Sequence, residues 1–116
     1  WPERRVTPTA RLDLIKIGAL TFEPVDADRF PGPGLAKNAL RRGGSAPAIL
    51  NAANEIAVAA FLAKRIGFLD ISRVVAQTLA EADRRGLIRA TQSLDDVLAA
   101  DAEGRDLAQM VIATLH

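Results

Sequence analysis

Asn51-Ala52-Ala53-Asn54-Glu55-Ile56-Ala57-Val58-Ala59-Ala60-Phe61-Leu62 is the stretch whose reading decides the fold. On a helix Asn51, Asn54 and Glu55 stand at i, i+3 and i+4, so they share one face, which Val58 and Leu62 continue. The other faces carry Leu50, Ala53, Ile56, Ala57, Ala60 and Phe61. Beyond Glu55 the helix is apolar all round, which is the pattern of a central helix covered on every side. Just upstream, Ser45 is the candidate N-cap, and Pro47 is tolerated in the first turn. The predicted helix runs from Ala46 to Arg65, roughly 30 Å at ~1.5 Å per residue.

Shorter helices flank it. Leu35 to Arg42 predicts a helix that Gly43 caps in a left-handed conformation. Downstream, Asp70 is expected to cap a helix whose stripe is Ile71, Val74, Val75, Thr78, Leu79 and Ala82, closed by Arg84-Arg85-Gly86. Ser93 with Asp95 and Asp96 predicts a short helical turn through Leu98, the acids favoured by the N-terminal dipole. Asp101 is then expected to cap a last helix that buries Leu107, Ala108, Val111, Ile112 and Leu115.

Residues 1–34 read differently. Pro2, Pro8, Pro24, Pro31 and Pro33, with Gly32 and Gly34, discourage long helices. Ala19-Leu20-Thr21-Phe22-Glu23 alternates apolar and polar residues, predicting a short strand that Pro24 ends. Asp26 to Pro31 reads as a turn. A lone strand cannot satisfy its own backbone, so it requires a partner from elsewhere. The expected architecture is mainly α: a small bundle of about four helices at 35–116, preceded at 1–34 by an extended arm containing a short strand. No internal repeat or low-complexity tract interrupts it.

Composition narrows the function. The 116 residues suffice for one domain. Hydrophobic residues make up 49% and the mean hydropathy is +0.10, as in ordinary soluble proteins. No apolar run approaches the ~20 residues of a membrane span, and no apolar leader segment follows Trp1-Pro2-Glu3-Arg4-Arg5. Cysteine is absent, which fits a reducing, cytoplasmic setting. The net charge of +1 comes from 15 basic and 14 acidic residues that are interspersed, whereas nucleic-acid binders concentrate a basic excess on one face. Neither nucleic acid nor membrane is expected as a partner. A start at Trp1 without Met is expected of a piece of a longer protein.

Candidate sites are few. Asn51, Asn54 and Glu55 are polar groups on an otherwise apolar helix. Three readings stand: a structural network tying the helix to the arm or to another domain, simple exposure at the helix start, or a place beside a ligand. Arg41-Arg42-Gly43-Gly44-Ser45 precedes a helix N-terminus that could hold a phosphate. The glycines are also what a helix-to-helix turn needs, and no Walker spacing is present. Asp95, Asp96, Asp101 and Glu103 each have a capping or first-turn role, without EF-hand spacing. His116 is the only histidine and is terminal, so no serine or cysteine triad can be assembled.

Several segments together resemble a known family. Leu20-Thr21-Phe22-Glu23, Asp28-Arg29-Phe30-Pro31, Asn51 to Glu55 with Ala57 to Leu62, Phe68-Leu69-Asp70-Ile71, Leu94 to Leu98 and Asp101-Ala102 occur in this order. The series resembles the C-terminal third of the 1-deoxy-D-xylulose 5-phosphate reductoisomerases, and Trp1-Pro2-Glu3-Arg4 resembles that family's segment after its substrate-site loop. Gly32-Pro33-Gly34 departs from it, standing where bulkier residues usually lead into the first helix.

The resemblance implies part of a homodimeric enzyme of non-mevalonate isoprenoid biosynthesis. That enzyme uses NADPH and a divalent metal, Mg²⁺ or Mn²⁺, to make 2-C-methyl-D-erythritol 4-phosphate. It also implies that cofactor, metal and substrate residues lie in an N-terminal dinucleotide-binding domain and a central catalytic domain. No position here matches those motifs, so no catalytic, cofactor or metal residue is expected in this chain. A free-standing helical protein-interaction module is the alternative, and a self-contained module has no need of an unpaired arm.

Overall fold

The central stretch is helical and sits in the middle of the molecule. The computed structural model describes residue 3 and residues 5–115; Trp1, Pro2, Arg4 and His116, on which parts of the sequence reading rest, lie outside the described residues. The elements are α1 (Leu14–Ile17), α2 (Gly32–Arg42), α3 (Ala46–Leu62), α4 (Asp70–Arg84) and α5 (Leu94–Ala113). α3 packs against α2, α4 and α5, and α4 also meets α5 and α2. Ala46, Ile49, Ala52, Ala53, Ala57 and Ala60 of α3 are buried. Of these, Ala53, Ala57 and Ala60 pack with Val74 and Val75 of α4 and with Ala108 and Ile112 of α5. Ile49 also joins Ala82, Ala100 and Leu107 in an adjoining layer. The mainly helical four-helix bundle is therefore as the periodicity predicts.

Element boundaries differ from the sequence expectation at five points, each for a local reason. α2 begins at Gly32 rather than Leu35, because Pro33 in the first turn needs no amide partner and carries a helical φ. α3 stops at Leu62 rather than Arg65. The amides of Lys64 and Arg65 donate back to the Phe61 and Ala60 carbonyls, and Lys64 takes a left-handed φ of 59°. The same reverse pattern ends α4, where Gly86 and Leu87 donate to Asp83 and Ala82. Asp70 is the first residue of α4 and does not cap it; Leu69 holds the N-cap position, and the Asp70 carboxylate accepts instead from the Gly67 amide. Asp101 caps nothing either. α5 continues through it from Leu94, because Ala99-Ala100-Asp101-Ala102 contains no helix breaker and Asp101 pairs with Arg105 one turn on.

The fifth difference is the predicted strand. Ala19 to Glu23 runs without regular structure, and no strand occurs among the described residues. A strand requires a ladder partner, and the described residues offer none. The arm instead forms the single helical turn α1, started by Asp13, whose carboxylate accepts from the Ile15 and Lys16 amides. The Asp26 turn is present, with the Asp28 and Arg29 amides donating to Asp26 Oδ1. Every residue from 5 to 30 is exposed, and α1 touches none of the other helices.

Candidate functional site

The polar trio on α3 divides into two surroundings. Asn51 Nδ2 donates to Glu55 Oε1 at 3.0 Å, and Glu55 Oε2 accepts from Arg105 Nη2 at 2.6 Å. Arg105 of α5 also donates through Nε to Asp101 Oδ2 at 2.6 Å. Asn51 and Glu55 thus face α5. Asn54 turns the other way and lines a small slot of about 120 Å³ with Leu35, Leu50, Ile71 and Val75. All three side chains are exposed in this chain rather than covered. Among the described residues the arm makes no hydrogen bond to any of them, although its Gly32 lines the slot beside Asn54; the partner of Glu55 across the bundle is Arg105.

The electrostatics follow from this geometry. Hydrogen bonds from Arg105 and Asn51 hold the Glu55 carboxyl below its ordinary value. Reciprocally, Asp101 and Glu55 push the Arg105 guanidinium further up. An exposed carboxylate with a lowered pKa stays ionised near neutral pH, so it cannot act as a general acid there. The guanidinium neutralises two acids, Glu55 and Asp101, that converge on it. Elsewhere Glu103 accepts from Arg89, and Asp96 serves a reciprocal cap with Ser93, accepting from the Gln92 and Ser93 amides. Among the described residues no three His, Cys, Asp or Glu side chains are grouped to hold a metal ion. The residues present do not fit a divalent metal, and without a strand they do not form the strand–turn–helix cradle a dinucleotide needs.

The Gly43-Gly44-Ser45 segment is a turn tied across the bundle. The buried Ser45 hydroxyl donates to the Leu87 carbonyl at 2.8 Å and accepts from the Arg89 amide at 3.0 Å. Its own amide donates to the Arg89 carbonyl. Ser45 occupies the N-cap position of α3, but its side chain makes no capping bond there. Gly44 has a φ of +56°, and a Cβ on it would stand 2.4 Å from the Arg89 carbonyl oxygen. The close crossing accounts for Gly44, while Gly43 takes a positive φ of 71° in open space, as the turn out of α2 requires.

Sequence reasoning missed Arg105 and Ser45 as network centres. The Asp101–Arg105 spacing of four residues was a visible signal, whereas the Arg105–Glu55 and Ser45–Arg89 pairings join residues more than forty positions apart.

Comparison with known proteins gives these features a setting. The family model described as the DXP reductoisomerase C-terminal domain matches residues 1–107. The chain belongs to that family. A 1-deoxy-D-xylulose 5-phosphate reductoisomerase of Rhodospirillum centenum is 55% identical over 113 residues, covering 97% of this chain and 27% of the relative. One from Caulobacter vibrioides is 49% identical over 115 residues, covering 97% of this chain and 29% of its own length. Among solved structures, the Zymomonas mobilis reductoisomerase in complex with NADPH superposes with a TM-score of 0.84 at 46% identity, over 99% of this chain and 29% of that one. A DOX-P reductoisomerase in complex with NADPH, fosmidomycin and magnesium gives 0.79 at 36% identity. The chain therefore spans less than a third of the length of these relatives. No helix among the described residues is long and apolar enough to cross a membrane.

Proposed function

We propose that this chain is the structural C-terminal helical domain of an enzyme that converts 1-deoxy-D-xylulose 5-phosphate to 2-C-methyl-D-erythritol 4-phosphate with NADPH and a divalent metal. Identity of 55% to a protein of that activity, across 97% of the chain, is the observation that carries the reading. On it, residues 1–34 are an arm against the catalytic domain, residues 35–116 are the bundle, and the enzyme's own N-terminal and catalytic domains are the partners. The full enzyme is a cytoplasmic homodimer that binds no nucleic acid, and the fragment alone is catalytically inert. Asn51, Asn54 and Glu55 serve as interdomain or structural ties rather than as chemistry. The Arg105 salt bridge supports this, since it commits Glu55 to holding α3 against α5.

Two measurements test the proposal. The full-length protein, given 1-deoxy-D-xylulose 5-phosphate and Mg²⁺, oxidises NADPH; absence of turnover overturns the activity. The 116-residue chain, titrated calorimetrically with NADPH and with Mn²⁺, binds neither tighter than about 10 μM, roughly −7 kcal/mol. Tighter binding moves part of the site into this chain. The alternative of a free-standing helical interaction module is disfavoured by the arm, which displays Leu12, Leu14, Leu20 and Phe22 to solvent without a partner in the bundle.

A further inference from the structure

We draw no further inference here: the strongest candidate, the exposed apolar patch of Leu62, Phe68 and Leu69 at the connection between α3 and α4, carries nothing because nothing in the structure shows what covers it.

Discussion

Gly104→Ala is predicted to destabilise the bundle although alanine is the better helix former. Gly104 is buried in the middle of α5, where replacing glycine by alanine gains about 1 kcal/mol of helix propensity. Against that, a Cβ at this position stands 3.1 Å from Ala52 Cβ, 3.1 Å from Ile49 Cα and 3.3 Å from the Ile49 carbonyl oxygen. Carbon atoms settle at about 3.5–4.0 Å, so α3 and α5 must separate by roughly half an ångström. Two of the three contacts are backbone, and no rotamer change relieves them. Ile49 and Ala52 are fully buried, so the shift opens gaps along a close-packed seam. Overpacking of this kind costs about 1–3 kcal/mol, leaving a net loss of about 1 kcal/mol, or roughly 5 °C in Tm.

Gly34→Ala is the control. Gly34 is helical and exposed, with nothing within 4 Å of its would-be Cβ, so the same substitution there is predicted to stabilise by about 0.5–1 kcal/mol. Urea unfolding followed by far-UV circular dichroism reads both. If Gly104→Ala is as stabilising as Gly34→Ala, the close crossing of α3 and α5 is wrong.

Ser45→Ala strands the Leu87 carbonyl and the Arg89 amide and is expected to cost about 1–3 kcal/mol by the same assay; a neutral result means the connection is not held there. Thr78 carries the one buried side-chain polar atom without a partner among the described residues. Thr78→Val keeps its shape and is therefore expected to raise stability by about 1 kcal/mol, whereas a loss would reveal a hydrogen bond to the hydroxyl. Lys64→Gly removes a side chain from a left-handed residue at the end of α3 and is expected to gain about 1 kcal/mol, with an unchanged urea midpoint counting against the helix ending described. The Glu55 and Asp96 carboxyls are held below their ordinary values of 4.5 and 3.8, by Arg105 and by the Gln92 amide respectively. Their contribution is complete above those values and disappears as pH falls through the lowered ones. The double variant Glu55→Gln with Asp96→Asn is therefore expected to flatten the acid limb of the stability profile, and an unaltered limb would discount both networks.

Much of this protein is legible from local pattern. The apolar faces of α3 and α4 and the stop at Gly86 depend on spacing within one helix, so periodicity finds them. So does the Ser93 cap, where the bonding partners stand three residues apart. The family resemblance is legible in the same way, in the series of segments from Leu20 to Ala102.

What the sequence could not determine depends on neighbours brought in from far along the chain. Asp101 reads as a cap by type, yet continuity of α5 wins because the residues around it favour helix and Arg105 takes its carboxylate. Gly104 and Gly44 look like interchangeable small residues until α3 and the Arg89 carbonyl are found against them. Glu55 is held by Arg105 from fifty positions away, and only the tertiary structure brings the two together. The alternation of Ala19 to Glu23 is real as pattern, but pattern cannot make a strand without a second backbone to complete the ladder.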